Sequence, residues 1–453
     1  MQVELYDTLS RRKKALEPRD NMVRIYHCGM TVQSRPHVGH LRGYIVMDAL
    51  RRFLRFKGYE VKLVQNITDI DDKVIEKSRA EGIDWRMLAE RNTDELLRVT
   101  DALNIERPTV MPRATQHIEE IINLVSKIID KGHAYESAGD VYFDVRSYPK
   151  YGKLSGKKID ELESGARIKP SENKRDPLDF AVWKAAKPGE PYWYSPWGKG
   201  RPGWHIECSA MSAHYLGPEF DIHAGGEDLV FPHHENEIAQ YEAATGKPFA
   251  RSWMHVEMLN LRGEKMSKST GHLVVASDVI EAYDPNALRM FTLRVHYRAQ
   301  TEYTMEGMDE ARSAWERITT FLSAAQQVLG EPALATEYPK LDAVLSDDFN
   351  TPKAMGLVFD LVHQGNEALA SGDKDKLAEA TAKLNLALQI LGFKPRREEG
   401  VQDVQTLLDL LVRFRSELRA AKEFEWADKL REMVQKSGLV IEDTKEGTRI
   451  RFK

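Results

Sequence analysis

Hydrophobic positions along residues 22 to 70 switch from one period to another and back. Val23-Arg24-Ile25-Tyr26 is a short β-prone run that ends in Cys28-Gly29-Met30-Thr31. From Gly43 to Gly58 the apolar residues recur at helical spacing and stop at a glycine. Val61 to Ile67 reads as a second strand. Strand, crossover helix and strand within about 45 residues predict a βαβ unit and hence a parallel sheet. Residues 72 to 134 are helical in pattern. From 135 to 200 the texture turns to Tyr, Gly, Pro, Trp and Lys, as in EPYWYSPWGKGRPGW, and reads as a loop-rich insertion. Strand-like and helical stretches return over 204 to 260. Residues 305 to 395, rich in Ala, Leu, Glu and Lys, read as a helical bundle. A long amphipathic helix over about 403 to 437 and a terminal hairpin complete the order.

Composition narrows the class. At 453 residues the chain exceeds one ordinary domain, and 42% hydrophobic with 30% charged residues is a soluble globular balance. No run approaches the roughly 20 apolar residues of a membrane span. The segment MQVELYDTLSRRKKALEP lacks the pattern of a secretory leader. The two cysteines, Cys28 and Cys208, cannot build a disulfide framework, so a cytoplasmic location is expected. A net charge of −5 gives no global basic footprint, which leaves nucleic-acid binding to local patches.

Three short stretches carry candidate chemistry. PHVGH (36 to 40) lies between the first strand and its crossover helix, where a parallel sheet binds ligands and a helix N-terminus attracts phosphate. His37 and His40 can donate to phosphate oxygens, and Gly39 lets a flat base approach; the same tetrapeptide is also an ordinary loop. KMSKS (265 to 269) offers Lys265 and Lys268 to a leaving pyrophosphate, or forms a solvated loop. Neither GxxxxGK[ST] nor GxGxxG occurs. In DLVFPHHENEIAQ (228 to 240), His233 and Glu237 fall on one helix face, while His234 points about 100° away.

HxGH followed by KMSKS resembles the signature pair of class I aminoacyl-tRNA synthetases. CGMTV (28 to 32), NITDIDDK (66 to 73), GWHIECSAM (203 to 211), FDIHAGGEDLVFPHHENEIAQ (220 to 240) and WMH (253 to 255) resemble the cysteinyl-tRNA synthetase family. AKEFEWADKLRE and GLVIEDTKEGTRIRF extend that resemblance essentially end to end. It implies an α/β fold with a Rossmann-like parallel-sheet catalytic domain in two halves (1–120 and 203–255). A connective insertion (121–202) separates them, and a KMSKS-containing stem-contact region (256–308) follows. A tRNA-binding helical bundle (309–395) and a small C-terminal α+β anticodon-binding domain (400–453) complete the expected order.

The family activates L-cysteine with ATP and transfers it to tRNA(Cys). By resemblance His37, His40, Lys265 and Lys268 act on the phosphates. Gly39 and Asp228 contact ATP, Asp228 through the ribose, although it also suits a helix N-cap ahead of Leu229 to Gln240. Gly29, Thr31 and Trp204 line the cysteine pocket, with Trp204 equally suited to plain core. One Zn²⁺ is implied at Cys28, Cys208, His233 and Glu237, a coherent donor set, although a lone cysteine is commonly a small buried hydrophobe and a His/Glu pair commonly a helix surface. Mg²⁺ arrives with ATP; Asp69, Asp71 and Asp72 read rather as turn and cap residues. Arg413, Arg415, Arg419, Lys422 and Trp426 are expected tRNA contacts, and a monomer with no membrane association is expected.

Two stretches depart from the family pattern: Val32-Gln33-Ser34-Arg35-Pro36, where Tyr-Asp is frequent, and Thr270-Gly271-His272, where Leu-Gly-Asn is usual. Ala224-Gly225-Gly226 stands for a triple glycine. The cysteine:glucosaminyl-inositol ligase of mycothiol synthesis shares the metal and nucleotide motifs, so the C-terminal stretches separate the two readings.

Overall fold

The computed structural model describes residues 1–159, 173–261, 264–265, 274–330, 333–395, 400–436, 439–444 and 447–452, some of them, such as Lys265, by backbone alone. The chain divides into two compact units, 1–394 and 395–453.

In the first unit a four-stranded parallel sheet runs Ala250–Val256, Phe220–Gly226, Met22–His27, Glu60–Gln65. The expected βαβ unit forms its half, with helix Val38–Phe56 as the crossover. Leu41, Ile45, Leu50, Phe53 and Leu54 of that helix are buried, each contributing about 1.5–3 kcal/mol of transfer free energy. The helix begins five residues earlier than Gly43 because His37 caps it in an extended conformation (φ −111°, ψ 163°). Gly39 and His40 therefore sit in its first turn, not in a loop. The second half of the sheet is framed by helices Trp204–Leu216 and Glu235–Thr245.

The stretch read as loop-rich is instead a sheet. Ala134–Ser137, Asp140–Phe143, Phe180–Ala185, Gly198–Pro202 and Trp193–Ser195 pair antiparallel in that order. Its strands run three to six residues and their burial does not alternate, so no period of two shows in the sequence. Val141, Phe143, Val182 and Trp183 bury against Ile121, Val125 and Ile128 of helix Ile118–Asp130. The bundle follows as Met305–Leu329, Pro339–Ser346, Thr351–Ser371 and Lys374–Ile390.

Arg289, fully buried, ties the bundle to the crossover helix. Its guanidinium donates to Asp48 Oδ2 on the crossover helix (2.8 Å), to Leu103 O (2.8 Å) and to Leu391 O at the end of the bundle (2.9 Å). Among the described residues no helix is long and apolar enough to cross a membrane.

The second unit corrects the expectation of one long helix. Gly400–Ala420 and Phe424–Lys436 are separate, because Lys422 takes a left-handed φ of 63° and Glu423 N–H closes back onto Leu418 O. No glycine or proline announces that break. The terminal hairpin, Leu439–Thr444 with Gly447–Phe452, is as expected. Arg413, Arg419, Lys422 and Trp426 are exposed, but Arg415 is buried and so is no surface contact.

Replacing Arg289 by Ala strands two carbonyls and removes one of two cations on Asp48, the other being Arg52. The expected loss is about 3–5 kcal/mol, read as a lowered urea midpoint of the first unit.

Candidate active site and metal centre

At the carboxyl ends of the parallel strands the chain leaves a pocket of about 250 Å³. Cys28, Gly29, Thr31, His37, Gly39, His40, Trp204 and Asp228 line it. The turn after strand Met22–His27 forms its floor. Cys28 N–H donates to Ala224 O (2.9 Å) and Gly29 N–H to Asn66 Oδ1 (2.8 Å). Glycine is required at 29, since a Cβ would lie 1.6 Å from Asn66 O. On one wall the His37 and His40 rings stack with centroids 3.5 Å apart, and His37 N–H donates to His40 Nδ1 (3.3 Å). The neutral His40 ring then carries its proton on Nε2.

Trp204 forms the opposite wall as the first residue of its helix. Gly203 before it packs so closely that a Cβ would sit 2.0 Å from Ala181 O. Asp228 lies exposed at the rim, within the turn Glu227–Leu229. The N-cap alternative for Asp228 fails, because the helix begins at Glu235 and its cap position is His234. Asp71 caps helix Asp72–Glu81 through Lys73 N–H, Asp69 accepts from Thr115, and Asp72 pairs with Lys184 and Arg201. Lys268 lies outside the described residues. Lys265 is described by its backbone, which pairs with Asn260.

Behind Cys28 the pocket ends in a buried cluster. Cys28 Sγ lies 3.8 Å from Cys208 Sγ and 3.5 Å from Glu237 Oε1, and His233 Nε2 lies 3.1 Å from the same oxygen. Cys28, Cys208, His233 and Glu237 present ligand atoms all within 4.8 Å of one another, as could hold a metal ion. So do Cys28, His223, His234 and Glu237.

His234 therefore does not point away as expected. Glu237 lies four residues after His233 and three after His234, and both spacings share its face, so both imidazoles are buried against it, with Nε2 3.1 and 3.9 Å from Oε1. Sequence reasoning also missed the surrounding histidines. His223 Nε2 lies 2.8 Å from Glu237 Oε2, and His205 Nδ1 2.9 Å from His233 Nδ1. His255 links His234 Nδ1 (2.8 Å) to Thr8 (2.7 Å). His223 and His255 lie in FDIHAGG and ARSWMHV, strands buried almost throughout, so no alternation in the sequence marks either histidine as inward-facing.

Burial pushes the Cys28 thiol and the Glu237 carboxyl well up, and the His233 ring well down. It holds His205, His223 and His255 down at about 3. The cluster is thus set to carry neutral donors, and ionised thiolate and carboxylate require a cation among them.

Residues 15–313 match the catalytic domain family of class I (C) tRNA synthetases, and residues 340–394 the DALR domain. The chain is 45% identical to the cysteine–tRNA ligase of Desulforudis audaxviator over 99% of each. It is 42% identical to that of Thermococcus gammatolerans over 99% of this chain and 98% of the relative. A Mycobacterium tuberculosis methionyl-tRNA synthetase in complex with methionyl-adenylate shares the fold, with a TM-score of 0.56 and 20% identity over 86% of this chain and 94% of that one.

Gly29→Ala is expected to force the floor of the pocket off Asn66 and to cost about 1–3 kcal/mol, measured by thermal unfolding.

Proposed function

The chain belongs to the cysteine–tRNA ligases of the class I tRNA synthetases, and from that membership we propose how its residues carry out the reaction. It is a ligase that joins L-cysteine to tRNA(Cys) at the expense of ATP. Identity along the whole chain does not favour the glucosaminyl-inositol ligase alternative.

In the first step the carboxylate of cysteine attacks the α-phosphorus of ATP and pyrophosphate leaves. The carboxylate is already a nucleophile, so the residues position and stabilise charge and need remove no proton. His40 Nε2 and His37, at the positive end of helix Val38–Phe56, face the phosphates. Lys265 and Lys268 neutralise the departing pyrophosphate, with Mg²⁺ accompanying ATP. Gly39 leaves room for the base, and Asp228 at the rim accepts from the ribose hydroxyls. Gly29, Thr31 and Trp204 enclose the amino acid. In the second step the terminal 2′-hydroxyl of the tRNA takes the cysteinyl group. The bundle (309–395) and the C-terminal region (400–453) hold the tRNA, the latter at the anticodon through exposed Arg413, Arg419, Lys422 and Trp426. We assign the protein to the cytoplasm as a monomer.

The four donors suit zinc. Tetrahedral bonds of about 2.3 Å to sulfur, 2.0–2.1 Å to nitrogen and 2.0–2.2 Å to oxygen give S···S, S···O and N···O edges of about 3.8, 3.5–3.7 and 3.3–3.5 Å. The corresponding separations here are 3.8, 3.5 and 3.1 Å. The two sulfur separations match and the N···O separation is shorter than its edge; the match at sulfur is the observation that carries the reading, and two thiolates favour Cys28, Cys208, His233 and Glu237 over the histidine-rich alternative set. Zinc, when bound, supplies a soft acceptor for the substrate thiolate that serine's hydroxyl matches poorly.

Purified protein should therefore contain one zinc per chain by elemental analysis and catalyse cysteine-dependent ATP–pyrophosphate exchange, then charge tRNA(Cys). Serine should be rejected by more than the roughly 200-fold that a hydrophobic pocket supplies. Cys208→Ala should lose the metal and most of that discrimination. Exchange without tRNA charging, or metal-free protein that still rejects serine, contradicts the proposal.

A further inference from the structure

The stretch Val32 to Pro36, which departs from the family pattern, has a physical role that the reaction scheme leaves unassigned. Its first residue is anchored by Thr68 O, which accepts from Val32 N–H (3.2 Å), and by Asn92, which donates to Val32 O (2.8 Å). Its far end is paired with a segment some 240 residues downstream. Ala276 N–H donates to Pro36 O (2.9 Å), Val38 N–H donates to Val274 O (3.1 Å), and His37 bridges Val275 between them. His37 thus stands at the centre of a ladder of only two hydrogen bonds. Such a ladder is too short to hold a rigid register by itself.

Arg35 supplies the third tie. Its Nε and one terminal nitrogen donate to Glu95 Oε1 (3.3 and 3.1 Å) on helix Trp85–Ala102. The same nitrogen meets Ser277, and lies 3.5 Å from Asp278, both on helix Ala276–Ala282. One guanidinium therefore joins three elements: the turn that presents His37, the helix behind it, and the helix that follows the pairing segment. Arg98 grips Glu95 from the other side (3.1 and 3.2 Å). Arg98 first, then Ser277 and Arg35, hold the Glu95 carboxyl down at about 2, so it is ionised throughout the working range. Ser277 is fully buried, so the tie has a fixed end. Arg35 does not line the pocket, and its hydrogen bonds run to Glu95, Ser277 and Asp278, none of which lines it.

We propose that Arg35 is a positioning residue for ATP: by clamping Pro36–Val38 onto Val274–Asp278 and Glu95 it fixes His37 against the phosphates. The inference rests on the reading of His37 and His40 as phosphate contacts. A half-exposed ion pair of this kind adds little to global stability. Its effect falls on where two histidine rings stand, and displacement of about 1 Å at such a group weakens function by up to about a hundredfold. The fork matters as well as the charge, because three acceptors converge on one planar guanidinium.

The test measures ATP affinity by calorimetry with Mg²⁺ present, alongside cysteine affinity, thermal unfolding and cysteine-dependent pyrophosphate exchange, on the full-length protein. Arg35→Ala is expected to weaken ATP binding about tenfold while cysteine affinity and Tm stay put. Arg35→Lys should recover little of the loss. Glu95→Gln should weaken ATP in the same way, and the double variant no more than either single one. Unchanged ATP affinity in Arg35→Ala overturns the proposal, as does an equal loss of ATP and cysteine binding with a lowered Tm. Unsubstituted protein that binds ATP but shows no cysteine-dependent exchange would sink the ligase reading and leave the Arg35 assignment to stand or fall on the ATP measurement.

Discussion

The contact on which the rest of the site depends is the approach of Cys28 to Cys208, 180 residues apart in the chain and 3.8 Å apart in space. Cys28 ends the strand Met22–His27, and Cys208 lies on the helix that opens the second half of the sheet. Everything between them has to be accommodated without moving either thiol. The insertion achieves this by folding on its own antiparallel sheet and returning the chain at Gly203, where only a residue without a Cβ clears Ala181 O. The first sheet half achieves it by closing Gly29 onto Asn66, again with no room for a side chain. Two glycines thus permit the close backbone packing beside each cysteine's element.

From that floor the pocket rises through two chemistries that share walls. Trp204 stands 4.3 Å from His233, centroid to centroid, so the surface proposed to enclose the amino acid is continuous with the candidate donor cluster. His37 and His40 stand across from it at a helix N-terminus. On the proposed roles, the catalytic design is one of placement. No side chain in the pocket is asked to take a proton from a nucleophile that arrives ionised, and the cost of holding groups still is carried by the sheet and by the Arg289–Asp48 tie behind the crossover helix.

Much of this was legible in the chain. The βαβ unit, the order of insertion and bundle, and the terminal hairpin follow from period and punctuation. His233 and Glu237 stand out as a pair on one helix face, but the four-residue donor set follows only from the resemblance, because Cys28 and Cys208 are too far apart for any local spacing to join them. What escaped did so for physical reasons. The angle between neighbours His233 and His234 hides the fact that both stand within one turn of Glu237, at i+4 and i+3, so His234 faces the same carboxylate. The insertion's strands bury their residues in runs rather than alternately, so no period of two marks them. The helix break at Lys422 rests on a left-handed lysine, which composition does not mark. The buried histidines 205, 223 and 255 gain their meaning only from neighbours that the fold brings to them.

The central claim is that the cluster behind Cys28 holds a thiophilic metal open to the substrate's sulfur. X-ray absorption at the zinc edge measures this most directly. The account predicts two sulfur and two nitrogen or oxygen ligands in the protein alone, and a third sulfur when cysteine, but not serine, is added. An absent zinc edge, or a sulfur count that cysteine leaves unchanged, would contradict it.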